Sequence, residues 1–419
     1  KKIYVHQLEL GMYASGLDRP WLETPFNTQG FMIRDAADIQ KLSLYCDYVY
    51  IDSERSVANL DMALSNKASK EASQKRSQDR KPFVASCPIE QELSARHIHK
   101  YQDKTTVTTE IIDANNAYQK IKSAFDGMAG HINSGKKLNI ASISTVVTPL
   151  VESIVRNPGA SIWLARLKSQ DSYTHRHCIA VAIWCSVIGR QIGLPKKELA
   201  QLFMGGMLLD IGKLKIPPEL LNKKKQLSDR EFSLVKKHVD LSLKLAADAS
   251  PRIPQAVTDM IASHHECFNG TGYPQSLQGT EIPLYARIAA IADCYDAITS
   301  QRVYAKPIPH SLAIRKMYRW RGYDFQPELI EAFIQSLGIY PTGTMVELSS
   351  GEVGIVVKEN PGKRLRPQVL VILDEYKKQL EDFREIDLAT PVGEDRKVIE
   401  IRKTLEPGAY GLDPEALYI

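Results

Sequence analysis

The spacing of apolar and polar residues changes character several times along the chain. Residues 1 to about 60 carry short apolar runs, Lys2-Ile3-Tyr4-Val5, Gly30-Phe31-Met32-Ile33 and Tyr48-Val49-Tyr50-Ile51, separated by turn residues; this predicts a small α+β accessory domain over 1–62. From Asn66 to Pro82 the sequence NKASKEASQKRSQDRKP has no large apolar residue and cannot bury enough surface to order itself. Residues 63–88 therefore read as a basic flexible linker, a better reading than a segment that touches nucleic acid or lipid. Over 89–164 apolar residues recur at helical spacing, as at Ile121, Phe125, Met128 and Ile132, and predict connecting helices through which two copies could form a homodimer. From 165 to 340 the text is densely helical, broken at Gly193-Leu194-Pro195, at Ile216-Pro217-Pro218 and at a glycine-rich loop, 269–274. After Tyr340-Pro341 the pattern changes to short β runs, Met345-Val346-Glu347-Leu348, Val353-Gly354-Ile355-Val356-Val357 and Val369-Leu370-Val371-Ile372-Leu373. A β-rich extension over 341–419 is expected, with its last dozen residues frayed. The fold class is mainly α, flanked by the two smaller units.

Composition adds bounds. With 419 residues, 43% apolar and 25% charged, the chain is globular in composition and long enough for two or three domains. The stretch from Ile140 to Val155 is interrupted by Ser142, Ser144, Pro149, Glu152 and Ser153, so no segment is expected to cross a membrane. The first residues lack the apolar core of a secretory signal, and a cytoplasmic location is expected. Six scattered cysteines without CxxC spacing argue against a zinc ribbon or a disulfide framework and read as core filler. A net charge of +5 is small for this length; it gives no strong case for a nucleic-acid polymer as partner and suits a small anionic ligand.

The candidate chemistry lies in the helical segment. Residues able to bind a hard or borderline cation stand at His177, Asp210, His238, His264, His265 and Asp293, each where the pattern predicts an inward helix face. Asp210 ends the apolar run Phe203 to Leu209, and Asp293 interrupts Ile288 to Ala292. An ionised carboxylate on an apolar face must be paired or coordinated. Ser228-Asp229-Arg230-Glu231 has the form of a capping box and predicts that His238 sits about three turns into one helix. Any one of these residues alone is more often a hydrogen-bonded core or surface group; six at inward positions favour a shared cation site.

The strings Tyr173-Thr174-His175-Arg176-His177, Leu209-Asp210-Ile211-Gly212-Lys213, HHECFNGTGYP at 264–274 and Ala292-Asp293-Cys294-Tyr295-Asp296-Ala297 followed by Arg302-Val303-Tyr304 closely resemble the HD-GYP family. These are helical, metal-dependent bacterial signalling phosphodiesterases that hydrolyse cyclic dinucleotides. The resemblance covers 165–340 and implies an HD-type bundle holding two or three metal ions, usually iron or manganese. It implies His177, Asp210, His238, His264, His265 and Asp293 as ligands, with Asp210 bridging, and the mixed N/O donors suit such metals better than structural zinc. It gives Asp210 and Lys213 catalytic roles, Lys213 neutralising an oxygen of the scissile phosphate. Gly272, Tyr273, Pro274, Arg302 and Lys306 join Lys213 as substrate contacts: the loop turns on its glycines, Tyr273 offers a ring to a guanine or a hydroxyl to phosphate, and Arg302 can fork onto phosphate oxygens.

Four positions depart from the family pattern: Leu209 stands where the histidine of the HD signature belongs, Tyr173 where some members carry a glutamate for a third metal, Ala305 where a basic residue is usual, and Asn269 where aspartate is commoner. Tyr173 favours two ions over three. The implied activity is hydrolysis of cyclic di-GMP or 3'3'-cyclic GMP-AMP to a linear dinucleotide, impaired to the extent that Leu209 weakens the site. The alternative is a degenerate receptor or interaction scaffold.

Overall fold

A computed structural model describes residues 2–17, 31–33, 36–46, 48–52, 89–94, 96–167, 173–223, 228–300, 308–358, 360, 363, 365–390, 399–405 and 409–412. The linker reading at 63–88, Arg302, Ala305, Lys306 and most of the C-terminal dozen fall outside the described residues.

Contacts divide the chain into a unit over Lys1–Arg80 and a unit over Lys81–Ile419. In the first, strands β1 (Lys2–Tyr4), β2 (Tyr13–Leu17), β3 (Phe31–Met32) and β4 (Tyr48–Asp52) form an antiparallel sheet in the order β1-β4-β2-β3, with Ile3 opposite Val49 and Ala14 opposite Ile51. Alternation along β4 sends Val49 and Ile51 inward and turns Tyr50 outward. The inward pair packs with Met12, with Ile33, with Leu42 on helix α1 (Ala36–Tyr45) and with Cys46 just beyond that helix.

The second unit is built on helices: α2 (Ile89–Ser94), α3 (Val107–Asn133), α4 (Ile140–Arg156), α5 (Pro158–Leu167), α6 (Tyr173–Gln191), α7 (Lys196–Leu208), α8 (Pro218–Leu221), α9 (Asp229–Lys236), α10 (His238–Ala247), α11 (Gln255–Ser263), α12 (Leu284–Thr299), α13 (His310–Arg319) and α14 (Pro327–Leu337). The long α3 is started by Thr106, whose hydroxyl accepts from the Thr109 amide, and buries Ile111, Tyr118, Ile121, Phe125 and Ile132 along one stripe. Glu110 on that helix takes both guanidinium arms of Arg156 at the end of α4, at 3.0 and 2.6 Å. One continuous apolar core runs through these helices and on into the C-terminal sheet. Within it lie α6 and α7, the two helices that carry His177 and lead to Asp210.

Strands β5 (Met345–Leu348), β6 (Val353–Lys358), β7 (Gln368–Leu373), β8 (Gln379–Asp387) and β9 (Ile401–Thr404) form a second antiparallel sheet, ordered β8-β7-β6-β5-β9. Both faces of its middle strands are covered. Val353, Ile355 and Val357 join the helical core, whereas Val356, Val369 and Val371 pack with Leu388 on the other side. Near-continuous apolar strands are the physical mark of such double burial.

The sheet is fastened to the helices by Arg166 at the end of α5. It donates to the carbonyls of Pro341 and Thr342 at 2.9 and 2.7 Å, to Thr344 Oγ1 at 2.8 Å, and through Nε to His310 Nε2 at 3.0 Å. His310 Nδ1 lies 2.6 Å from the hydroxyl of Tyr295 on α12. With Nε2 accepting from a guanidinium, Nδ1 carries the proton and donates to Tyr295, so this imidazole is neutral. Burial, and then the Arg166 charge, hold its pKa well below the usual histidine range.

Candidate metal centre

The structure brings His177, Asp210, His238, His264, His265 and Asp293 to one place. Their possible ligand atoms fall into two groups, His177–Asp210–Asp293 and Asp210–His238–His264–His265, each with its atoms within 4.8 Å of one another. Asp210 belongs to both. Its Oδ2 lies 3.4 Å from His177 Nε2, and its Oδ1 lies 3.2 Å from His238 Nε2 and 3.9 Å from His264 Nε2. His177 Nε2 is also 3.0 Å from Asp293 Oδ1, and His265 Nδ1 is 3.9 Å from Asp293 Oδ2. His177, Asp210, His238 and His264 are buried and form the floor, while His265 and Asp293, partly exposed, form the rim.

Local structure fixes each side chain. Asp210 follows the last turn of α7 and opens a 3-10 turn, Ile211–Lys215, which lies against α10. Ser242 on α10 donates to the Leu209 carbonyl at 2.9 Å and accepts the Gly212 amide at 2.8 Å. Gly212 makes this approach feasible, since a Cβ there would overlap the His238 carbonyl oxygen and come within 2.6 Å of the Ser242 nitrogen.

The capping box at Ser228 and Glu231 is present, but the expectation of one helix running through His238 needs correction. Helix α9 ends at Lys236, Lys237 bends the backbone (φ −63°, ψ −11°), and His238 begins α10. The break leaves the Val235 carbonyl able to accept His238 Nδ1–H at 2.8 Å. His264, just past the end of α11, uses the Ile261 carbonyl in the same way at 2.9 Å, and His177 Nδ1 lies 2.6 Å from Asp296 Oδ2. In His238 and His264 the carbonyl partner holds the proton on Nδ1, and in all three residues Nε2 is the nitrogen aimed into the cluster, the atom that a metal-ligating imidazole offers.

These groups fit a divalent cation. Asp210 Oδ1 is buried with no hydrogen-bond partner among the described residues. His238 Nε2 and His264 Nε2 face each other at 3.5 Å although their protons are on the other nitrogens, and His265 Nε2 is 3.1 Å from His238 Nε2. The carboxylates of Asp210, Asp293 and Asp296 all gather around His177, and the Lys213 ammonium pairs with one of them, at Asp210 Oδ2. Lone pairs and negative charge thus converge in a buried volume, and a cation removes both penalties.

Ionisation states agree with that reading. Burial pushes His238 down to about 4, lowers His264, and, with the neighbouring His264, holds His265 well below its usual range, so all three are neutral near pH 7. Burial opposes ionisation of Asp210, but the Lys213 ammonium and the His177 contact override it and hold the carboxyl well below its usual range. At Asp293 burial is likewise outweighed, by His177.

The glycine-rich loop folds over the rim. Tyr273 stacks on His265 with ring centres 4.7 Å apart, and its amide donates to the His265 carbonyl at 3.2 Å. Gly270 takes a φ of 80°, and a Cβ on Gly272 would overlap the backbone of Glu266 and Cys267. Pro274 follows Tyr273 in this turn. Lys213 reaches the site from the 3-10 turn, through its contact with Asp210, and Leu209 is buried in the apolar core beside that carboxylate.

Asp296 and Glu266 escaped the sequence reading. Asp296 orients His177; its signal was the spacing of three from Asp293, which places both on one face of α12. Glu266, the third letter of the HHE string, does not join either ligand group: its carboxylate accepts the amides of Gln275 at 2.7 Å and Leu277 at 3.2 Å and closes the loop. Asp296→Ala is expected to lower metal affinity about 10–100-fold, measured as metal retained against a graded chelator series. Asp296→Asn should recover part of it, because the amide oxygen still accepts from Nδ1–H. Equal retention in wild type and Asp296→Ala would remove Asp296 from the site.

Comparison with known proteins follows the same lines. Family models match an HD domain at residues 158–329, a domain of unknown function at 1–143 and a KOW domain associated with HD domain at 345–392. A cyclic di-GMP phosphodiesterase of Pseudomonas aeruginosa is 33% identical over 400 residues, covering 95% of this chain and 91% of the relative. The 3'3'-cGAMP-specific phosphodiesterase 2 of Vibrio cholerae is 31% identical over 169 residues, 40% of this chain and 32% of that protein. A cyclic di-GMP phosphodiesterase of Thermotoga maritima is 32% identical over 166 residues, 40% of this chain and 45% of that protein. Among the described residues no helix is long and apolar enough to cross a membrane.

Proposed function

The chain belongs to the HD-GYP family of HD-domain phosphodiesterases, and on that premise we propose that it hydrolyses a 3',5'-cyclic dinucleotide to the linear dinucleotide. Cyclic di-GMP and 3'3'-cyclic GMP-AMP, the compounds named in its relatives, are the candidate substrates. In the reaction a water oxygen bonds to phosphorus and gives up a proton, one phosphorus–ribose oxygen bond breaks, and the released ribose oxygen takes a proton.

The observation that carries this reading is the division of Asp210 between two ligand groups, one oxygen toward His177 and the other toward His238 and His264. Two divalent ions held there, iron or manganese by the donor set, would polarise the phosphoryl oxygens and acidify the attacking water. His177, Asp210 and Asp293 are assigned to one ion and Asp210, His238, His264 and His265 to the other. Lys213 sits next to the shared carboxylate and can turn its ammonium to a non-bridging phosphate oxygen as charge develops there. Tyr273 packs on His265 and walls the entrance. Burial, followed by Asp293 and Asp210, raises its hydroxyl pKa, so it donates to an anionic substrate rather than repelling it. Arg302 and Lys306 are proposed as further phosphate contacts on sequence grounds.

A second reading, a degenerate receptor, is favoured by one observation: with Leu209 in place of a histidine, the His177 group has three donors against four in the other. Metal-replete protein incubated with each cyclic dinucleotide, with products separated chromatographically, tests both. Turnover is expected in the wild type, and Leu209→His should tighten the weaker metal position. Turnover only in Leu209→His identifies a disabled enzyme; bound metal and bound dinucleotide without turnover in either form identifies the receptor.

A further inference from the structure

Helix α9 does more than lead into His238. We propose that its Phe232 and Lys236 form a second substrate subsite, which takes the phosphodiester not undergoing hydrolysis and the base beside it; this rests on the phosphodiesterase reading above. The aromatic wall at the rim does not end at Tyr273. Phe232 meets the Tyr273 ring edge to face, with centres 6.5 Å apart and planes at 78°, and is 41% exposed. The Lys236 ammonium lies over both rings, 4.6 Å from the Tyr273 centre and 4.7 Å from that of Phe232. The series His265, Tyr273, Phe232 therefore runs from the candidate metal centre to the surface, with a cation beside its outer half.

A cyclic dinucleotide has two bases and two phosphodiester groups related by its ring, so when one diester lies at the metal centre the other must lie to one side, still charged. An exposed phenyl ring next to an ammonium that rests on aromatic faces matches the base and anion found there. Lys213, beside the shared carboxylate, is assigned to the diester at the metal centre, so the second diester calls for another cation. Tyr273 gains a role from this arrangement: it carries the rings of α9 into register with His265.

The test compares cyclic di-GMP with bis(p-nitrophenyl) phosphate, a small diester that has no second phosphate. Phe232→Ala and Lys236→Gln are each expected to raise KM for the cyclic dinucleotide about tenfold, with kcat changed far less and a much smaller effect on the small diester. Lys236→Arg should restore KM, and Lys236→Gln should also weaken the dependence of KM on salt. Equal losses on both substrates, or no change on either in an enzyme that turns over cyclic di-GMP, would overturn the subsite while leaving the phosphodiesterase reading intact. Wild-type protein that cleaves the small diester but no cyclic dinucleotide would overturn both. Melting temperatures of the variants, compared with wild type, separate loss of binding from loss of fold.

Discussion

Asp210→Ala is expected to abolish diester hydrolysis and to empty both cation positions together. The carboxylate is fully buried, and its two oxygens face different ligand groups. Removing it takes one donor from each group and leaves the ammonium of Lys213 without that carboxylate. Charge stabilisation of the kind such a centre supplies is worth several kcal/mol, so the loss should be at least about 10³-fold in rate. Metal content measured on the purified variant gives a second readout. His264→Ala, which touches one group only, should lose one ion, whereas Asp210→Ala should lose two. Retention of one full equivalent by Asp210→Ala would show that the carboxylate is not shared, and persistent turnover would place the chemistry elsewhere.

Gly212→Ala removes no functional group, yet it should reduce kcat about 100-fold and destabilise the fold by about 1–3 kcal/mol. The new methyl group would collide with backbone of His238 and Ser242, atoms that cannot rotate away. The 3-10 turn must then retreat from α10, carrying Asp210 and Lys213 away from His238. A shift of about 1 Å is enough to break a positioned reaction geometry. Thermal unfolding and steady-state kinetics together check this. An active variant of wild-type stability would mean that the turn and α10 are not packed as described.

Much of the centre was legible because its carboxylates violate the local pattern. An aspartate at the end of Phe203 to Leu209, or directly after Ile288 to Ala292, is not satisfied by the apolar run it interrupts and must be paired or coordinated by groups beyond it. The pattern marks such residues as inward; it does not say which carbonyl or imidazole they meet. For that reason the backbone acceptors at Val235 and Ile261 were invisible as site components, and the spacing of Asp296 from Asp293 marked a shared helix face without naming His177 as its partner. The helix break before His238 was also hidden: Lys237 keeps helical φ and only its ψ departs, a change that no glycine or proline announces. The C-terminal strands were visible as strands, and their unbroken apolar runs carried further information. Along β6, Val353, Ile355 and Val357 turn to the helices and Val356 turns to the opposite side, so neither face of that strand meets water.

The Arg166 contacts bear on how this chain could have been assembled. Its guanidinium spans two carbonyls and a hydroxyl at the entry to the C-terminal sheet, and on its other side it touches His310, which in turn meets Tyr295, a helical neighbour of Asp293 and Asp296. A cut at the seam near residue 340 would strip a half-buried cation of its acceptors and unsettle the imidazole behind α12. The sheet is thus no detachable passenger, and shuffling it between proteins would require its helical host to travel with it.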